Sequence, residues 1–323
     1  MKTTKLSTLK ALKTGVCLAA LTGIFLSPCI AMGATPKSIP AQTTAQTTAK
    51  TTTQVEQNSQ AQTAEKRKQI ASEAVTALNE TRVALAALDK GKPAEALAAL
   101  EKATGKLELI LARDPALALA PTSVAAVTFD VYGSVDDIKA ATKKAEYKLT
   151  IGEVQEARAI LKGLASETVI SVTNLPLATY PAAIKDAVRL IDAAKIAEAK
   201  TVLQNALNTL VITDTVIPLP VVAAQQLLKE AETLAEKKDR SDADNQRLGT
   251  LLRDARAKFD LAQSLVYGSK SDFDIFKKEL ELIEDKTSDG KSGISFFEKI
   301  KESMTAMFND SQHDKLNPQT VQN

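Results

Sequence analysis

Offset by 42 residues, the chain matches itself without a gap from Gly152 to Pro220. Gly152-Glu153-Val154-Gln155-Glu156-Ala157 lies over Ala194-Lys195-Ile196-Ala197-Glu198-Ala199, Leu161 over Leu203, and Val169-Ile170 over Val211-Ile212. Thr173 lies over Thr215, and Leu175-Pro176-Leu177 over Ile217-Pro218-Leu219. A constant period of this size marks a supersecondary unit that buries its apolar face by stacking on copies of itself. Each unit reads as turn, helix, β-branched run, Pro-Leu corner, helix. Gly91, Glu95, Ala96 and Leu100 share the spacing of Gly152, Glu156, Ala157 and Leu161, so an earlier hairpin is a third, more distant copy.

The composition fits packed helices. Apolar residues make up 44% and charged residues 25%, while aromatics are only 4% and Trp is absent. Small apolar residues with many Lys and Glu favour close helix packing over a β-sandwich. The net charge of +2 includes Lys2, Lys5, Lys10 and Lys13 at the N-terminus. Without those four the chain is slightly acidic, which removes the case for a nucleic-acid binder.

Residues 1–33 have the three parts of a secretory signal: four lysines, an apolar stretch from Val16 to Leu26, then Pro28 and small residues. Cleavage is expected between Ala31 and Ala34. The apolar run is about half the ~20 residues a membrane-spanning helix needs, so no stable membrane insertion is expected after cleavage. Pro28 stands where a lipidated Cys29 would need Gly, Ala or Ser. Both cysteines, Cys17 and Cys29, fall in this leader, so no disulfide supports the mature chain. The expected location is periplasmic or secreted.

Residues 34–63 are rich in Thr, Gln, Ala and Ser and too poor in apolar residues to offset ordering, so they read as a disordered tether. A helical-hairpin domain is expected over 64–268. Ile70, Ala74, Ala77, Leu78, Leu85 and Leu88 recur at threes and fours; Gly91 and Pro93 then separate two helices. Asp114-Pro115 and Ala120-Pro121 bracket a loop, followed by a β-branched segment from Thr122 to Tyr132. Ser134 is placed to cap a helix reaching Leu149. A long amphipathic hairpin of coiled-coil character follows Pro220. A C-terminal helix pair is expected over 269–309, with Phe273, Phe276, Leu280 and Ile283 on one stripe and Phe297, Ile300, Met304 and Met307 on another. Residues 310–323 read as a disordered tail. The β-branched runs before Pro176 and Pro218 are either short extended pieces lying side by side or the last turns of helices.

Chemistry-bearing motifs are sparse. The single histidine, His313, lies in the polar tail, which excludes paired-His zinc sites and nucleophile–His triads. The loop 285–293 imitates three motifs. Asp285, Asp289 and Gly290 fit a calcium loop, but Phe296 stands where a bidentate Glu is needed. Gly290-Lys291-Ser292 resembles the end of a phosphate loop without its first Gly. Ser288 and Lys291 form a Ser-x-x-Lys pair without partner motifs. Three partial matches in one short stretch reflect its Asp/Ser/Gly composition. Glu156 and Glu198 recur at one repeat position, where a Glu near a helix start favours the helix dipole; acid–base work is the competing reading. No catalytic, cofactor or metal residues are assigned.

The segment carrying Leu175-Pro176-Leu177, Ala187, Leu190, Glu198-Ala199, Leu203, Ala206, Val211-Ile212 and Asp214 resembles the YfdX family of exported bacterial proteins. Ile196 departs from the Tyr common before Glu-Ala, and the tether and C-terminal helices are additions. The resemblance implies a helical periplasmic protein of uncharacterised biochemical role, linked to envelope stress such as acid or drug exposure. It supplies no catalytic residues.

The expected fold is therefore all-α: an elongated bundle of packed helical hairpins with an internal 42-residue repeat. The expected function is non-enzymatic binding or chaperone-like protection of other proteins, or self-association. The alternative is a scaffold presenting a tetratricopeptide-like groove to one partner. A third reading is an enzyme with a His- and Cys-free carboxylate pocket.

Overall fold

The computed structural model describes residues 41–131, 133–293 and 295–313. The leader with its cysteines, the first residues of the 34–63 segment, and residues 314–323 lie outside the described residues. The described residues from Gln42 onward belong to one compact unit.

The chain is mostly helical, as its periodicity implies. Helix α1 spans Ala41–Lys68, α2 Ser72–Asp89, α3 Pro93–Arg113, α4 Val135–Thr150, α5 Val154–Lys162, α6 Tyr180–Asp192 and α7 Ile196–Asn208. Helices α8 Leu219–Ala235, α9 Asp242–Ser264, α10 Lys270–Thr287 and α11 Glu298–His313 complete the set. The β-branched runs add a three-stranded sheet to the expected helices: β1 Leu119–Phe129, β2 Glu167–Pro176 and β3 Val211–Pro218. The order is β1-β2-β3, antiparallel throughout, with Ala126 opposite Ile170 and Ile170 opposite Thr215. Burial alternates along β2, the period-2 signature that helical packing cannot produce. Pro121 sits in edge strand β1 beside a register shift, a position where its missing N–H leaves no ladder bond unmade.

Three hairpin turns share one construction. Gly91, Gly152 and Ala194 adopt φ of +68°, +79° and +57°. In each, the N–H of the next residue donates back to a carbonyl in the preceding helix: Lys92 to Ala87, Glu153 to Lys148, and Lys195 to Leu190. This left-handed C-terminal cap satisfies carbonyls the helix end would leave free. Helix starts at Val154 and Ile196 and strand ends at Pro176 and Pro218 fall at the repeat offset.

The first core joins the α2–α3 and α6–α7 hairpins. Leu100, Leu107, Ile184 and Leu203 are sealed inside it, and Ala74, Ala84, Ala96, Ala103, Ala187 and Ala199 let the helices approach closely. The second core joins α8, α9, α10 and α11. Phe259 stacks on Phe276 with ring centroids 4.8 Å apart, and Phe273 meets Phe276 edge-on at 5.8 Å. Phe297, Ile300, Met304 and Met307 are buried in the same cluster. The boundary expected at residue 268 therefore divides a single core: α8 and α9 pack with the C-terminal pair, because both apolar stripes face them. Helix α11 also runs to His313, past the start of the expected tail at 310.

The stretch read as a tether is largely α1. Thr51, Val55, Ser59 and Thr63, four residues apart, form its buried stripe. Val55 packs with Ile170, Ile217, Val222 and Ala223, so α1 and α8 cover one face of the sheet. A helix this polar is held by the surface it covers rather than by its own apolar content.

Candidate interaction surface

Alternation along the strands divides the sheet residues between two faces. Thr168, Ile170, Val172 and Asn174 of β2, with Ile217 of β3, are buried on the face covered by α1 and α8. Ser123, Ala125, Val127 and Phe129 of β1 point the other way, and all four are exposed. Their partners Val169, Ser171 and Thr173 on β2 are half-buried; Ile212 and Asp214 on β3 are exposed. Val127 is 52% and Ile212 64% exposed, on the two strands that flank β2. The open face therefore presents Val127, Phe129, Val169, Val216 and Ile212 to solvent. Asp214 stands in its middle, where its Oδ1 accepts a 2.6 Å hydrogen bond from the Ser171 hydroxyl.

A second exposed apolar surface lies on the α4–α5 hairpin, which links the Phe129 end of β1 to the Glu167 end of β2. Ser134 and Asp137 form a capping box at the start of α4, as the sequence places them. Inside the hairpin Ile138, Ala145 and Ala157 are buried, whereas Tyr147, Leu149, Ile151, Val154 and Leu161 are exposed. Leu161 was expected to match Leu203 as core. It is 46% exposed while Leu203 is fully buried. The reason is what lies across each hairpin. Helix α2 packs over α7, whereas the α4–α5 hairpin has its main outside contact through α4, with α9.

The repeated glutamates do not converge. Glu156 pairs with Lys148 at 2.7 Å, and Lys148 also bonds Glu153. These hydrogen bonds lower the Glu156 carboxyl and raise the Lys148 amine, with Glu153 the larger influence on the amine. Glu198 instead meets Lys195 at 3.3 Å in the α6–α7 hairpin. Both are exposed surface pairs of small energetic weight.

In the 285–293 loop, Asp285 ends in α10 and Ser288–Gly290 form one 3₁₀ turn. The carbonyls of Thr287 and Lys291 accept hydrogen bonds at 3.0 and 2.6 Å from the Arg240 guanidinium, which also donates to the Ala235 carbonyl and to Asn245 Oδ1. The planar fork of Arg240 thus occupies the Lys291 carbonyl, which is the backbone ligand at the seventh position of a calcium loop starting at Asp285. Among the described residues no group of three His, Cys, Asp or Glu is arranged to hold a metal ion, and no helix is long and apolar enough to cross a membrane. A shallow depression of about 420 Å³ between α6 and α7 is lined by Thr179, Tyr180, Asp186, Val202 and Asn205. Burial pushes the Tyr180 hydroxyl pKa up.

The sequence marked the β-branched runs but not the open face they build. The signal was available: β1, β2 and β3 together contain only two ionisable residues, Glu167 and Asp214, and register puts both on that face.

No curated protein matches the chain. It is similar to the solved structure of Salmonella Typhi YfdX at 17% identity and a TM-score of 0.33, over 46% of this chain and 93% of that one. Residues 77–216, from α2 through β3 and including the Pro-Leu and Glu-Ala positions, match the model of the YfdX protein family.

Proposed function

We propose that this chain is an exported, non-enzymatic binding protein that shields other components of the cell envelope under stress such as acid or drug exposure. The observation that carries this reading is the open sheet face. Large apolar side chains left in water on a rigid element mark a contact surface, because burying them against a partner is favourable. The location rests on residues 1–33, whose basic start, short apolar run and small-residue end fit an export signal. The family match over residues 77–216 supports the assignment without naming a ligand.

A photo-crosslinking residue placed at Val127 or Ile212 of the mature chain, activated in intact cells with and without stress, tests the proposal. Crosslinks to other envelope proteins that increase under stress are expected. A protein that stays uncrosslinked at both positions, in both conditions, would sink the reading. A single stoichiometric product in every condition would favour the scaffold alternative.

A further inference from the structure

We propose that the open sheet face takes a cationic amphipathic helix from another polypeptide. The inference rests on the binding role proposed above and specifies the partner's chemistry.

Size is the first argument. β2 pairs with both neighbours from Glu167 to about Thr173. At ~3.3 Å per residue and ~4.8 Å between strands, the open face is roughly 25 Å long and 10–15 Å wide. That footprint fits one α-helix of about 17 residues, which is ~10–12 Å across with side chains. It falls well short of the ~800 Å² that each partner contributes to a stable protein dimer. The opposite face shows the sheet accepting a helix, since α1 lies there with Val55 against Ile170 and Ile217.

Charge is the second argument. The three strands contain no Lys, Arg or His, and their two carboxylates, Asp214 and Glu167, both belong to the open face. Asp214 is exposed and uses one oxygen on the Ser171 hydroxyl; Glu167 is half-buried and lies within reach of the Tyr267 hydroxyl. An apolar strip with carboxylates and no cations attracts a helix whose apolar side is flanked by Lys or Arg. The same charges repel an anionic lipid surface.

The test uses the mature full chain and two synthetic 18-residue helical peptides. One is built from Leu and Lys; the other has the same Leu face with Glu in place of Lys. Binding is read by fluorescence anisotropy at low and physiological salt. The Lys peptide should bind, more tightly at low salt, and the Glu peptide should not. Asp214→Lys should weaken the Lys peptide by about fivefold or more, as reversal of a surface attraction does. Val127→Asp should abolish binding while leaving helical circular dichroism unchanged; Ile212→Ser serves as a second apolar variant if Val127→Asp fails to fold. Equal binding of both peptides, or Lys-peptide binding untouched by all three substitutions, overturns the proposal. So does a stable oligomer in sedimentation that Val127→Asp dissociates, because the occupant is then a second copy of the chain. Should crosslinks form in cells at Val127 while the Lys peptide does not bind, the binding role stands and this inference alone falls.

Discussion

The backbone N–H of Ser166 donates a 2.8 Å hydrogen bond to the hydroxyl oxygen of Tyr267, 101 residues later in the chain. Ser166 immediately precedes β2 and Tyr267 follows α9, so this bond ties the sheet to the second helical core. The Ser166 hydroxyl separately donates to Asp130, and its carbonyl accepts from the Leu219 N–H. Every polar group of Ser166 is thus engaged within a residue that is 2% exposed.

Tyr267→Phe should leave the buried Ser166 N–H without an acceptor and cost about 1–3 kcal/mol. Burial raises the Tyr267 hydroxyl pKa above its usual 10.0. Its contribution is therefore present below pH 10 and lost as pH climbs toward the folded value. Urea melts of both proteins from pH 8 to 11 check this: the wild type should lose stability above pH 10 more steeply than Tyr267→Phe.

Leu203→Ala should destabilise by about 2–5 kcal/mol, as truncations of sealed core residues do. Leu161→Ala, at the matching repeat position but on the surface, should stay within about 0.5 kcal/mol. Chemical denaturation of the two variants side by side gives the comparison. Equal losses would mean that another element covers α5.

Among the described residues, Ala194, Val266 and Ser295 are the residues other than glycine that occupy left-handed backbone, where glycine is favoured. Ala194 has φ +57° at the α6–α7 turn, and Val266, 80% exposed, has φ +60° after α9. Ala194→Gly should stabilise by a few tenths to about 1 kcal/mol; Val266→Gly should gain at least as much, since a β-branched side chain is the more strained there. A higher melting temperature for each glycine variant is the expected reading.

Acid should weaken two helix starts. Hydrogen bonding to Arg113, at 2.5 Å, holds the Glu73 carboxyl at about 2 against a usual 4.5. Hydrogen bonding to Lys237, and then to the Ser241 cap, holds Asp244 at about 2 against 3.8. Both pKa values are lowered, so the stability they lend is present above about pH 4.5 and disappears as pH falls through 2. Asp244→Asn should flatten part of that acid limb in a pH series of thermal melts.

Much of the helical order was legible because its signals are local. Gly91 with Pro93, the Ser134 cap, and Leu and Ala at threes and fours each act within one or two turns. Elements whose state depends on distant partners were not. Residues 41–68 have almost no apolar content, and only the sheet face beneath Val55 gives α1 a reason to pack. Leu161 and Leu203 share a spacing, yet only Leu203 lies under α2. The runs ending at Pro176 and Pro218 left two conformations open, which the pairing of β2 with β1 and of β3 with β2 decided. The open face was hidden for the same reason: alternation shows that a strand has two sides but not which side the helices leave bare.

Helix α8 has apolar residues facing two ways. Val222 and Ala223 close over Ile170 and Ile217, while Val221 and Ala224 enter the second helical core. A gene fragment cut to residues 77–216 would end two residues short of Pro218 and lose both α1 and α8. Its sheet would then be bare on both sides, with Ile170 newly in water and two open edges to template pairing between chains. The portion of the chain that carries the family pattern is therefore expected to precipitate when made alone, and to stay soluble once the gene is extended at both ends, from α1 through α11.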